Sequence, residues 1–250
     1  MGFRERLRKS DPERRTMTSD PLRGRRHTMR VLAASGVALV ARTASAQRET
    51  ALPACVLTPA QTEGPFFVDE RLERADIRSD PTDGSIRQGV PLLLALRIVA
   101  VTGRDCQPAR DAIVDVWHCD AAGIYSDADG MGLRTRGSKF LRGYQVSDAS
   151  GEVRFTTIYP GAYRGRAVHV HFKVRTNTGA RRDEFTSQLY FDDALTDRVH
   201  AAAPYAASIR QRTRNVQDGL FRMNGRALIL DARPAAEGYA SAFDVGLRAA

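Results

Sequence analysis

Three observations in this 250-residue sequence predict an all-β fold, an antiparallel β-sandwich forming a single domain with short helices and loops. Short segments rich in β-branched and aromatic residues recur at intervals of roughly ten to fifteen residues. Gly, Pro and Asp-Gly separate them. The strand–helix–strand alternation of a parallel sheet is missing, and many short strands without it point to a sandwich.

The first candidate strand, 92–101, is apolar almost throughout. The second is 112–118. Strands 141–146 and 153–158 flank Asp148-Ala149-Ser150-Gly151, which reads as a hairpin turn. Segment 167–175 alternates: Val168, Val170, Phe172 and Val174 share one face, and His169 and His171 share the other. Segments 186–191, 227–231 and 239–245 complete the strands, and 193–203 and 206–215 are the two short helices the pattern allows.

The net charge of +9 at first suggests a nucleic-acid or membrane-surface partner. Its distribution argues otherwise. Residues 1–46 hold 11 Arg and Lys against four acids, so they account for +7 and the remainder of the chain for only +2. Within this segment basic 23–30 precedes the apolar run 31–40 and then Ala44-Ser45-Ala46, the order of a positive n-region, an h-region and a cleavage site. Arg25-Arg26 ahead of a weakly hydrophobic h-region resembles a twin-arginine signal. Residues 1–46 are therefore expected to be an export leader, residues 47–250 the domain, and the destination periplasmic or extracellular. No apolar run reaches the roughly 18 residues that a membrane-spanning helix needs. Arg181-Arg182 and the stretch 210–214 read as solvated charge beside Asp183, Glu184 and Asp218. Cys55, Cys106 and Cys119 are too few for a disulfide scaffold. In an oxidising compartment one disulfide is expected, with all three pairings open.

The chemistry gathers in two stretches. In the first, His169-Val170-His171 places two imidazoles side by side on a strand, half of a metal site. Upstream lie Tyr159 and Tyr163 in Tyr159-Pro160-Gly161-Ala162-Tyr163, followed by Arg166. In the second, Asp115-Val116-Trp117-His118-Cys119-Asp120-Ala121-Ala122-Gly123-Ile124-Tyr125-Ser126 runs from a strand into a loop that ends at a tyrosine. Phenolate is a hard anionic donor, and phenolates combined with imidazoles suit ferric iron better than zinc, copper(I) or magnesium. Trp117 and His118 read as packing groups near the site, and His200 as a surface residue on a helix.

Taken in order with Thr62-Glu63-Gly64-Pro65-Phe66-Phe67, Phe140-Leu141-Arg142-Gly143-Tyr144-Gln145 and Ser187-Gln188-Leu189-Tyr190-Phe191, these stretches resemble the intradiol ring-cleavage dioxygenases. The resemblance covers roughly residues 55–195. It implies a non-haem Fe(III) cofactor held by Tyr125, Tyr163, His169 and His171, with Tyr163 the tyrosinate that yields to substrate and Tyr125 the permanent one. It implies that Arg166 stabilises charge on the substrate, that Gln188 lies near the iron, and that Gly64 and Pro65 line the substrate mouth. The implied reaction joins a catechol-type aromatic diol with O2 and opens the ring to a cis,cis-muconate-type dicarboxylate. Catechol 1,2-type members carry a helical N-terminal region used for dimerisation, and no long amphipathic helix stands between leader and sandwich here. The chain therefore looks like a protocatechuate 3,4-dioxygenase-type core or an exported stand-alone branch. A homo-oligomer is compatible with the sequence, and nucleic acid is not an expected partner. The alternative is a non-catalytic secreted sandwich of transthyretin-like or carbohydrate-binding type.

Overall fold

The computed structural model describes residues 56–130, 133–178 and 181–249. The predicted leader, 1–46, and Cys55 lie outside the described residues.

Two sheets face each other. The first is built on β1 (Pro91–Thr102), whose Leu92, Leu94, Leu96 and Ile98 are buried at every second position. One edge of β1 pairs in parallel with β11 (Tyr239–Arg248). The other edge pairs antiparallel with β7 (Glu152–Ile158) over its first half and with β2 (Asp105–Pro108) over its second. The two-residue β10 (Arg233–Pro234) extends β11. The second sheet runs in the order β6 (Arg142–Val146), β3 (Ile113–Trp117), β8 (His169–Thr178), β9 (Arg181–Tyr190), all antiparallel. A small hairpin of β4 (Asp129–Gly130) and β5 (Leu133–Arg134) stands apart. Val114, Val116, Val170, Phe172, Val174 and Leu189 of the second sheet close on Leu92, Leu94, Leu96, Phe155 and Val245 of the first, forming one core.

The all-β sandwich is thus as the sequence predicts, and the antiparallel expectation holds for every strand pairing among the described residues except β1 with β11. Some details differ. The turn at Asp148–Gly151 is tied by the Asp148 carboxylate, which accepts from the N–H groups of Ser150 and Glu152. It leads from β6 in one sheet to β7 in the other, so it is an arch between layers and not a hairpin. The expected strand 227–231 is a 3-10 turn, Gly225–Leu228, followed by a single bridge from Ile229 to Tyr190, because this segment reaches the edge of β9 at that point alone. The first helix, α1, spans Asp193–His200 with Asp192 as its N-cap. The second expected helix, 206–215, is a series of 3-10 turns, interrupted where Arg212 turns extended and reaches Asp193 and Asp197. Arg212 is consequently buried, not solvated. A short helix that the sequence reading did not foresee, α2 (Gly219–Asn224), follows Asp218. His200 is also fully buried, donating from Nε2 to the Pro160 carbonyl (2.9 Å) and stacking on Tyr205. Cys106 is disulfide-bonded, whereas Cys119 is free and buried. No helix among the described residues is long and apolar enough to cross a membrane.

Candidate functional site

Strand period sends Val170, Phe172 and Val174 into the core and leaves His169, His171 and Lys173 on the opposite face of the second sheet. That face is not open to water. The segment 61–69 crosses it, anchored by Gln188 Nε2 donating to the Thr62 carbonyl (2.8 Å), by Lys173 paired with Glu63 and lying over the Phe67 ring, and by Arg175 paired with Asp69 (3.0 Å). His169 and His171 are therefore 2% and 1% exposed.

The His169 Nδ1 lies 2.6 Å from the Ala167 carbonyl. A carbonyl only accepts, so Nδ1 carries the hydrogen and the Nε2 lone pair is free. Around this Nε2 gather His171 Nε2 at 3.0 Å, the Tyr163 hydroxyl at 3.2 Å and the Tyr125 hydroxyl at 3.5 Å. Two imidazoles and two phenols thus converge on one point from three parts of the chain. Among the described residues no group of three or more His, Cys, Asp or Glu is placed to hold a metal, so the donor set here is nitrogen and phenol oxygen.

The surroundings keep all four donors uncharged. Burial, reinforced by the Arg166 charge, lowers the His169 pKa to about 3, and burial with His169 beside it takes His171 well below the ordinary value. Both rings are neutral near pH 7, the state in which imidazole ligates. Burial pushes the Tyr125 phenol well above its ordinary value. It pushes Tyr163 up to about 12, with the Arg166 charge opposing. At neutral pH neither ionises unaided, and a bound multivalent cation is what would make phenolates of them. The residues present fit a ferric ion by tautomer, by convergence and by donor type.

Packing holds each donor. The Trp117 indole lies against His171, and Phe66 stacks on Tyr125 with centroids 4.2 Å apart. Arg142, buried, donates from Nη2 to the Ser126 carbonyl and from Nη1 to the Phe66 carbonyl (3.3 Å), tying the Tyr125 loop to the crossing segment. Gly64 backs His171: a side-chain carbon at Gly64 would sit 3.5 Å from Cε1. Pro65 next to it is exposed at the rim. Arg166 donates from Nη2 to Gln188 Oε1 and from Nε to Asp218 Oδ2 (3.0 Å).

The structure therefore brings together Tyr125, Tyr163, His169, His171, Arg166, Gln188 and Gly64. Tyr159 is elsewhere, fully buried in the core with its hydroxyl on Thr196 Oγ1 (2.7 Å). His118 packs beneath, between the Cys119 carbonyl and the Thr157 hydroxyl. Three participants escaped the sequence reading. Asp218, read there as solvated, is 1% exposed; the others are Tyr190 and Gln61, joined by a 2.8 Å hydrogen bond. Asp-Gly ahead of Leu220-Phe221 is an N-cap signal that could have marked Asp218; nothing local marks the other two.

A family model described as a dioxygenase matches residues 62–223. The chain is 34% identical over 146 residues to the protocatechuate 3,4-dioxygenase beta chain of Burkholderia cepacia, covering 52% of this chain and 60% of that one. It is 28% identical over 147 residues to catechol 1,2-dioxygenase 1 of Acinetobacter lwoffii, covering 50% and 44%. The chain thus spans about half the length of the curated relatives it matches. Among solved structures, an intradiol ring-cleavage dioxygenase from Tetranychus urticae superposes with a TM-score of 0.67 at 29% identity, covering 78% of this chain and 95% of that one. The dioxygenase domain of a dioxygenase–carbohydrate-binding fusion from Streptomyces sp. SirexAA-E superposes with 0.56, also at 29% identity, covering 78% and 100%.

Proposed function

This chain belongs to the intradiol ring-cleavage dioxygenase family, and we propose that it is a non-haem ferric enzyme opening a catechol-type ring with O2 to a cis,cis-muconate-type dicarboxylate. The observation that carries the reading is the gathering of two phenol oxygens and a second imidazole around a His169 Nε2 whose lone pair is already freed by Ala167. Tyr125, Tyr163, His169 and His171 would hold ferric iron, which would supply what side chains lack, the Lewis acidity that makes a diol ring reactive toward dioxygen.

The chain's own residues do the rest. Tyr125 is fully buried under Phe66, whereas Tyr163 is only half-buried, so Tyr163 is the phenol free to swing aside, its Oη taking a proton from the incoming diol. The Arg166 guanidinium faces Tyr163 and favours negative charge there and on a diol oxygen bound beside it. The crossing segment keeps bulk water from the histidine face, which strengthens that charge–charge attraction. Residues 1–46 complete the reading as an export leader, tested by N-terminal sequencing of the secreted product.

The test is direct. Purified protein reconstituted with ferric iron should turn red-brown from phenolate-to-iron charge transfer and consume O2 with a panel of substituted catechols. Protein that stays colourless and iron-free after reconstitution would overturn the reading and leave a non-catalytic sandwich.

A further inference from the structure

Resting on that reading, we propose that Asp218 is a positioning residue for Arg166, and that α2 is the platform on which the active-site guanidinium is mounted. Asp218 is 1% exposed, and both carboxylate oxygens are occupied. Oδ1 accepts from Leu220 N–H (2.8 Å) and Phe221 N–H (3.3 Å), the first free amides of α2. Oδ2 accepts from Arg166 Nε (3.0 Å) and Ala167 N–H (2.8 Å). One carboxylate thus joins a helix start to the guanidinium.

The far end of α2 is joined to the same group. Gln61 Nε2 donates to Leu220 O (3.1 Å) and Asn224 Oδ1 (2.7 Å), and its Oε1 accepts from the Tyr190 hydroxyl (2.8 Å). That hydroxyl in turn lies 3.4 Å from Arg166 Nη2. The hydrogen bonds form a closed circuit: Arg166, Asp218, α2, Gln61, Tyr190 and back to Arg166. With Nε on Asp218 and Nη2 on Gln188 and Tyr190, the guanidinium is held at two nitrogens while it faces the Tyr163 phenol. A planar guanidinium fixed at two nitrogens can present only its third, so the circuit determines where the positive edge points. The fully buried carboxylate also balances a charge that is otherwise costly to hold beside two neutral imidazoles.

Asp218 also holds the Ala167 N–H, and the Ala167 carbonyl holds His169, so a second route of action, through the histidine, must be separated. Asp218→Asn and Asp218→Ser both remove the anion. Asparagine and serine are both good N-caps, so each preserves α2 while taking the charge partner away from Arg166. If Asp218 acts through Arg166, both variants take up iron and show the wild-type charge-transfer band, while kcat falls about 10- to 100-fold at nearly constant KM, the usual cost of losing an outer partner. In an Arg166→Ala background the same changes at residue 218 have almost no further effect. Loss of the band, or an undiminished fall in the Arg166→Ala background, would overturn the proposal in favour of a role in folding or at His169. A readout without iron or turnover separates this from the dioxygenase reading. In the metal-free protein the Arg166 Nε–H should give a slowly exchanging NMR signal that both variants abolish, and a signal unchanged in both refutes the proposal even if no catechol is ever cleaved.

Discussion

Trp117 lies flat on His171, ring centroids 4.9 Å apart and planes 7° from parallel, and among the described residues neither the indole Nε1 nor the His171 Nδ1 has a hydrogen-bond partner. His169 is oriented by a carbonyl; His171 is oriented by stacking. Trp117 is also the chain's only tryptophan, so its emission reports on the site alone. Ferric ion added to metal-free protein should quench that emission in a saturable titration. A variant with His169→Ala and His171→Ala should show no quenching at the same concentrations. Equal quenching in both would mean that the ion binds elsewhere.

Tyr163 and Tyr159 are separated by four positions and have different surroundings. Tyr163→Phe removes the hydroxyl 3.2 Å from His169 and should alter the charge-transfer colour and abolish most turnover while leaving stability near wild type. Tyr159→Phe removes a core hydrogen bond to Thr196 and should keep colour and activity but lose roughly 0.5–1.5 kcal/mol of stability. Visible spectra and urea denaturation distinguish the two, and the reverse pattern would move the candidate ligand to Tyr159.

Two buried groups away from the donors push the pH dependence of folding in opposite directions. Burial lowers His118 to about 4 from an ordinary 6.5. The unfolded chain therefore takes up a proton there first, and stability present above pH 6.5 is lost as pH falls toward 4, by about 3 kcal/mol at most. Burial outweighs the Arg175 ion pair at Asp115 and raises its pKa to about 6 from 3.8. Its stabilising contribution is complete below 3.8 and lost as pH rises through 6, so acidification restores it. Urea midpoints between pH 7.5 and 4.5 should thus fall more steeply in Asp115→Asn than in wild type, and less steeply in His118→Gln. Parallel curves for all three proteins would refute both assignments.

How much of this was legible in the sequence depends on the length over which each contact is made. His169 and His171 share a face because a strand has period two, which needs only the three residues between and including them. The core positions of β1 and β8 follow from the same local rule. Asp218 is illegible as a partner because Arg166 lies 52 residues away and the two meet only when Phe221 of α2 packs against Ala167 and Tyr190. His200 was read as a surface residue because a helix leaves its outer face open by default, yet the Pro160 turn covers this one. The choice between Tyr159 and Tyr163 depends on how the intervening turn is folded, and that turn is shaped by a loop 40 residues earlier. The family resemblance supplied what local rules could not, a reason to read Tyr125, Tyr163, His169 and His171 together.

That turn yields the last prediction. Gly161 lies on the backbone of the loop that leads to Tyr125: its N–H donates to the Asp120 carbonyl (3.0 Å), and a side-chain carbon on it would sit 2.4 Å from the Ala121 oxygen and 2.5 Å from the Asp120 oxygen. Gly123 answers from the other side, with φ +84° and a would-be side-chain carbon 2.3 Å from the Ala162 oxygen. The two tyrosine loops are interlocked through bare backbone, and neither carbonyl can rotate aside as a flexible side chain could. Gly161→Ala should therefore separate the loops, destabilise the fold by roughly 1–3 kcal/mol, and pull the Tyr125 and Tyr163 hydroxyls apart. Gly84→Ala is the control, at φ +74° with nothing within 4 Å. It carries the strain of a left-handed alanine, about 1–2 kcal/mol, but no displacement of either tyrosine. Iron titrations followed by the charge-transfer band should show weakened binding in Gly161→Ala and wild-type binding in Gly84→Ala. If the two variants bind iron equally well, the interlock supports the fold and not the spacing of the phenols.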